Sequence, residues 1–258
     1  MRKTKSTKPA TALVLRCCAA DMTSRDGFVW PGVGETVVAP DWRDDLKCGG
    51  GLHGWLYGAG DYTALDYWRK DDAKWLVLEV EESGIREFDR KCKFPSALVR
   101  FAGGKARAAA YLVEHEPRAV ACNVIGLSVV AGDHQTAAAG PLGNATSGDW
   151  GNSISGDLGT STSGNSGNST SGYGGTATSG DWGTATSGDW GTATSGDLGT
   201  STSGYGGTST SGERGEIQIR YYDLKAERYR TAVGYVGEDG IEANVAYKLD
   251  SDHKFIKV

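Results

Sequence analysis

Ser179-Gly-Asp-Trp-Gly-Thr-Ala-Thr186 is followed without a break by an identical octapeptide, Ser187 to Thr194. The chain continues as Ser195-Gly-Asp-Leu-Gly-Thr-Ser-Thr202 and Ser203-Gly-Tyr-Gly-Gly-Thr-Ser-Thr210. Read in both directions, the phase holds without insertion over residues 131–218. That makes eleven octads, each with Gly in second place. A flexible linker of Gly and Ser has no reason to keep phase. A fixed short period is the mark of a stacked repeat.

Within one octad, Gly-Thr-Ala-Thr-Ser reads as a strand and Gly-Asp-Trp as a bend. Alternation puts the two threonines on one face and Ala or Ser on the other. Thr is β-branched and suits a strand, and the second-place Gly is expected to take the positive φ of a tight corner. Eight residues cannot close a coil, whereas two octads can. The expected fold is therefore a two-sided β-solenoid with sixteen residues per coil and an interior of Ala, Ser and Gly. Coils ~4.8 Å apart give roughly five and a half turns and about 26 Å of length.

This coil places Asp133, Asp149, Asn165, Asp181, Asp197 and Glu213 in one column. Carboxylates ~4.8 Å apart repel by about 1 kcal/mol in water, so something must offset the repulsion. One reading has each Asp accept an N–H of its own bend. The other makes Asp133, Asp149, Asp181 and Asp197 ligands of a calcium column. Trp150, Trp182 and Trp190, with Tyr173 and Tyr205, sit at the bends as candidate binding aromatics. The outward threonines form a second candidate surface: Thr160, Thr162, Thr176, Thr178, Thr184, Thr186, Thr192, Thr194, Thr200, Thr202, Thr208 and Thr210.

The octads resemble those of bacterial ice-nucleation proteins, whose Ala-Gly-Tyr-Gly-Ser-Thr-x-Thr units share the Gly, the Tyr and the Thr-x-Thr. Residues 171–178 and 203–210 match best, and Asp replaces Tyr in most other units. The resemblance implies a solenoid, and it raises ice binding through the Thr-x-Thr rows.

Residues 11–122 read as a small α+β domain. Strands are expected at 11–16 and 75–81, the second central because it is apolar on both faces. A hairpin is expected over 28–38 through Pro31 and Gly32, a short helix at 63–69, and a helix at 105–114 between Gly103-Gly104 and Pro117. The run Cys48-Gly-Gly-Gly-Leu-His53 is a tight loop feeding a strand. It offers His53 as an acid–base group and Cys48 as a nucleophile.

This run, then a short helix and Leu-x-Val-Glu (78–81), resembles the N-terminal domain of phage and prophage proteins. Those proteins place octad-like repeats next and end in a segment like residues 236–249. The likeness spans the chain and implies a phage or prophage source. Gly-Gly-Leu-His with the following helix and strand also resembles ADP-ribosyltransferase-like domains. That likeness implies Arg16, His53 and Glu79 or Glu81 as catalytic residues.

After the octads, Ile and Tyr replace Ser and Thr from residue 216. Strands over 228–236, 241–249 and 255–258, with a turn at 237–240, make a small antiparallel cap. Residues 120–130 are read as the cap at the other end. The organisation is thus a disordered tail at 1–10, the α+β domain at 11–122, the solenoid with its cap strand at 123–218, and the C-terminal cap at 219–258.

A net charge of −5 argues against general nucleic-acid binding through a basic surface. The five cysteines include no CxxC pair and fit a reducing compartment. No run approaches the ~20 apolar residues of a membrane span. The sequence therefore reads as a cytoplasmic protein of a phage or prophage host, without cofactor, more a binding scaffold than an enzyme. Its partner would be a host or phage protein, or a second copy meeting it along the solenoid edges.

Overall fold

The computed structural model describes residues 10–258, so the tail expected at 1–10 lies outside the described residues except for Ala10. The Ala10 carbonyl accepts a hydrogen bond from the Glu82 N–H (3.0 Å). The chain divides into two compact units, one ending at Ile125 and the other Gly126–Val258.

The first unit is built on seven antiparallel strands: β1 (Thr11–Cys18), β2 (Thr36–Val38), β3 (Leu52–Leu56), β4 (Lys74–Glu81), β5 (Arg86–Phe88), β6 (Lys91–Phe94) and β7 (Ser96–Gly103). Their order is β2-β7-β4-β1-β3-β6-β5. β4 is central and buried on both faces, as its apolar run predicts. On one face Val14, Cys18, Leu76, Leu78 and Val80 pack against Trp30, Val37, Leu52 and Phe94. The helix α1 (Lys105–His115) covers the other face and buries its own Ala108, Ala109 and Leu112.

Two local expectations fail here. No hairpin forms over 28–38: β2 takes β7 as its partner, pairing Thr36 with Leu98, and Val29 makes only an isolated bridge to Thr23. Pro31 has no N–H to give a ladder, and the edge of an existing sheet offers β2 a better partner. The helix expected at 63–69 is a single 3₁₀ turn, Tyr62–Ala64, capped by the Asp61 carboxylate on the Thr63 N–H (2.9 Å). Tyr67 adopts φ 73°, which no right-handed helix passes through.

The second unit carries the octads. Eleven strands of three or four residues, β8 (Ser128–Val130) through β18 (Thr208–Thr210), alternate between two parallel sheets, even-numbered strands in one and odd-numbered in the other. Every in-register pair is sixteen residues apart, for example Thr176 with Thr192 and Ala177 with Ala193. The expected two-sided coil of sixteen residues is the observed one. Residues 128–130, read as a cap, are themselves the first strand, with Ser128 paired to Asn144.

The interior is as thin as its residues require. The alanines Ala177, Ala185 and Ala193 interleave from the two sheets, all fully buried. Ala137 and Ala145 are buried in the first coils, and serines fill most other places and partly bond one another, as in Ser169 to Ser163 (3.0 Å) and Ser195 with Ser211 (2.8 Å). Burying so little carbon yields little hydrophobic gain. Cohesion rests on the continuous backbone ladder and on close packing.

The role expected for the second-place Gly is overturned. The positive φ falls two places later, on Trp150 (58°), Leu158 (53°), Trp182 (60°), Trp190 (61°) and Leu198 (57°), and on Gly174 and Gly206 in the Tyr-containing octads. The second-place Gly is needed because neighbouring coils touch there. A Cβ on Gly180 would lie 2.8 Å from the Asn165 amide nitrogen, and one on Gly196 2.6 Å from that of Asp181. Stacking distance, not turn conformation, excludes a side chain.

At the far end β19 (Glu216–Asp223) continues in phase, parallel to the strand before it in its sheet, with Ile217 opposite Ser201. β20 (Arg228–Tyr235) folds back antiparallel on β19. β21 (Tyr247–Leu249) pairs with β18, and β22 (Phe255–Lys257) pairs with β21. The strand expected at 241–249 is thus only its last three residues. Ile241 instead turns inward beside Ile217 and Tyr247, closing the solenoid with a small apolar plug.

Candidate functional site

Two regions hold the candidate residues: the outer surfaces of the solenoid and a cavity in the first unit.

From the second octad on, the fifth-place Gly N–H returns to the second-place carbonyl, as from Gly151 to Gly148 (3.2 Å). Asp and Trp occupy the two central places of this four-residue turn. The Asp side chain does not cap its own bend. Its Oδ1 accepts the N–H of the residue sixteen places on: Asp149 from Asn165 (2.7 Å), Asp181 from Asp197 (2.9 Å), Asp197 from Glu213 (2.8 Å). Asp133 does the same for Asp149, and Asn165 for Asp181 (both 2.9 Å). An amide dipole beside each aspartate offsets the column's repulsion, and the side chain splices one coil to the next. Among the described residues no three His, Cys, Asp or Glu side chains converge as a metal site.

The two bend edges differ. One carries the Asp133–Glu213 column, with Trp150 and Trp182 beside it. The other alternates Asp157, Tyr173, Asp189 and Tyr205, with Trp190 leaning on the tyrosine of the next coil (rings 5.9 Å apart, 85°). Trp150, Trp182 and Trp190 are 63%, 67% and 59% exposed. Tyr173 and Tyr205 are exposed as well.

The two sheet faces differ too. Thr160/Thr162, Thr176/Thr178, Thr192/Thr194 and Thr208/Thr210 form four unbroken rows on one sheet. Thr184/Thr186 and Thr200/Thr202 lie on the other, where Asn152/Ile154 and Asn168/Thr170 precede them. Alternation found the threonines; only the coil length divides them eight to four.

In the first unit a cavity of about 460 Å³ opens beneath the glycine loop. Arg16, Cys48 and His53 line it together with Trp30, Asp66 and Lys91. The loop takes left-handed φ at Gly49 (85°) and Gly50 (63°), followed by 145° at Gly51, before β3 begins. Arg16 stacks its guanidinium 4.5 Å above the Trp30 ring and donates to the His53 carbonyl (2.7 Å). Burial, with Lys91, Arg16 and Lys93 nearby, pushes the His53 pKa down to about 4, so its ring is neutral at pH 7. The His53 Nε2 accepts the Gly49 N–H (3.4 Å). Cys48 is exposed, and its Sγ accepts from Lys91 Nζ (3.3 Å). Burial pushes the Cys17 and Cys92 thiols up to about 12, away from nucleophilic chemistry.

The glutamates of the transferase-like set are elsewhere. Arg16 pairs across the sheet with Leu76 and Glu79 with Leu13, so Arg16 and Glu79 point to opposite faces. Glu79 lies on the α1 side, joined to Arg100 (3.2 Å). Glu81 is exposed and accepts from Ser83 Oγ (2.6 Å). Nothing in the local sequence marked Trp30 or Lys91 as companions of Arg16; the fold brings them there from separate segments.

Residues 12–113 match a family described as a domain of unknown function (DUF7666). Over the repeat region the chain is 36% identical to an ice nucleation protein of Pseudomonas fluorescens, across 118 residues that are 45% of this chain and 10% of that protein. It is 33% identical to the ice nucleation protein InaU of Pantoea ananas, across 45% of this chain and 11% of the relative. A third ice nucleation protein, from Xanthomonas campestris pv. translucens, is 33% identical over 41% of this chain and 7% of its own length. The chain thus spans about a tenth of the curated relatives it matches. No solved structure matches.

Proposed function

We propose that the octad solenoid is a rigid scaffold whose bend edges present tryptophan and tyrosine side chains to a protein partner, in an accessory protein of phage or prophage type acting in the host cytoplasm. The repeat relatives and the β-solenoid fit a repeat scaffold. The observation carrying the partner is the conformation of the exposed tryptophans. A non-glycine residue in the left-handed region costs about 1 kcal/mol, and Gly174 and Gly206 occupy the same place in other octads. Folding alone favours Gly there, yet three bends hold a Trp with more than half its surface in solvent. Such anchors are typical of binding hot spots.

The test is capture from host lysate by the intact chain and by a triple variant, Trp150→Gly, Trp182→Gly and Trp190→Gly. The reading expects a defined protein on the wild type, lost from the triple variant, with melting unchanged or raised. Equal capture by both, or none by either, contradicts it.

A second reading has one observation in its favour. The four unbroken Thr-x-Thr rows on one sheet make a regular lattice, about 7 Å along a strand and ~4.8 Å between coils, in a region similar to proteins named for ice nucleation. Thermal hysteresis and droplet-freezing assays decide it; buffer-like behaviour in both removes it.

A further inference from the structure

Two cations at the glycine loop, Lys93 and Arg16, are treated differently by the fold. Lys93 is fully buried and well partnered: its ammonium meets the Asp45 carboxylate and the carbonyls of Lys47 (2.9 Å) and Gly49 (3.2 Å). Among the described residues Arg16, which sits against the same glycine loop, makes no salt bridge with a carboxylate, and Asp66 acts on it only through the longer-range field. Among the described residues its only acceptor is the His53 carbonyl on Nη1, and its Nε is sealed from solvent with no acceptor at all. A guanidinium has five N–H donors in a fixed fork suited to a carboxylate or phosphate. A charge taken out of water without a counter-charge is strongly unfavourable. Stacking on Trp30 offsets part of this and uses none of the donors.

Arg16 also forms part of the wall of the 460 Å³ cavity. Of the other charges there, Arg25 is tied to Asp66 (3.0 Å), and Asp41 accepts the Gly51 N–H (3.1 Å). Asp26 stands at the same wall. Lys91 adds a second cation, whose Nζ meets the Cys48 sulfur (3.3 Å), the Ala64 carbonyl (3.5 Å) and the Phe88 ring (5.5 Å to its centroid). We propose that this cavity binds a small organic anion, a carboxylate or a phosphate ester, whose charged end is received by the remaining Nη N–H groups of Arg16. The volume lies within the usual range for small-molecule sites and far exceeds a bare ion or a single water. Burial pulls the Arg16 pKa down to about 10, which leaves it charged at neutral pH. The site is independent of the scaffold reading.

The experiment is calorimetric titration of the intact chain with phenyl phosphate, benzoate and the neutral isostere benzamide. At least one anion is expected to bind tenfold or more tightly than benzamide, and the tighter of the two names the ligand class. Arg16→Met is expected to abolish that preference, and Arg107→Ser, at an exposed position of α1 outside the cavity lining, to change affinity less than twofold. Without ligand, Arg16→Met is expected to melt no lower than wild type, because it removes an unpaired charge. No anion preference in the wild-type chain overturns the proposal without recourse to any variant. It is equally overturned if Arg16→Met keeps the preference, or melts well below wild type and so assigns the arginine to the fold itself.

Discussion

The two units solve the same problem with opposite materials. In the first, Leu76, Leu78, Phe94 and Trp55 are fully buried, and α1 closes a core of ordinary thickness. In the solenoid the buried side chains between the sheets are alanines and serines, and each coil is held to the next by main-chain bonds sixteen residues apart. A thick core loses stability when atoms are removed from it. A thin core, already at contact distance, loses stability when atoms are added.

The largest effects should therefore have opposite chemistry in the two regions. Gly196→Ala places a carbon 2.6 Å from the Asp181 amide nitrogen and should cost about 3 kcal/mol or more. Ala185→Leu should cost a similar amount, whereas Thr184→Leu on the outer face should stay within about 0.5 kcal/mol. In the sheet domain Leu76→Ala should cost about 3 kcal/mol by leaving a cavity. Denaturant midpoints with unchanged slopes would establish all four. Equal penalties for Ala185→Leu and Thr184→Leu would break the contrast.

The next effect concerns the splice between coils. Asp181→Ala deprives the Asp197 N–H of its acceptor and should cost about 1 kcal/mol. Asp181→Asn should be nearly neutral, because Asn165 already makes the same bond in the same column. A larger loss for Asn than for Ala would show that the charge, not the acceptor, matters.

His53 supplies a pH-dependent counterpart in the sheet domain. Its folded pKa, about 4, lies below the ordinary value near 6.5. Between those values the unfolded chain binds the proton and the folded chain does not, so stability falls as pH drops through this window. Other groups titrate there too, and the test is the difference from His53→Gln. The variant should flatten the acid-side loss by about 1 kcal/mol, allowing for partial solvent access. Parallel pH profiles would refute this.

The smallest effect runs the other way. Trp182→Gly relieves a left-handed backbone at φ 60° and should raise stability by up to about 1 kcal/mol. A clear loss would mean the ring contributes to folding and would remove the main support for its role in binding.

What the sequence revealed follows the same divide. The octad phase shows the coil length, the two sheets and the thin interior directly, because each residue's environment recurs every sixteen positions. It did not show which glycine is conformational and which is steric. Both requirements select Gly, and only coordinates separate the 2.8 Å approach above Gly180 from the positive φ at Gly174. It also misdirected the Asp acceptor, since an N–H one coil away is invisible to a local reading. In the sheet domain the long strands and α1 were legible from periodicity. The pairing of β2 with β7 was not, because a three-residue strand carries too little pattern to choose a partner. The cavity was legible only in part: Arg16 and His53 could be singled out one at a time, but Trp30 and Lys91 join them through the strand order.

The sixteen-residue coil is tested most directly by spin labels on pairs of outward threonines, with the exposed Cys48 and the partly exposed Cys122 replaced by Ser. Labels at Thr184→Cys and Thr200→Cys stand on adjacent strands of one sheet, ~4.8 Å apart along the stack, and should broaden each other's spectra strongly. Labels at Thr184→Cys and Thr192→Cys stand on opposite outer faces and should not. Strong broadening in the eight-residue pair, or none in the sixteen-residue pair, would contradict the fold described here.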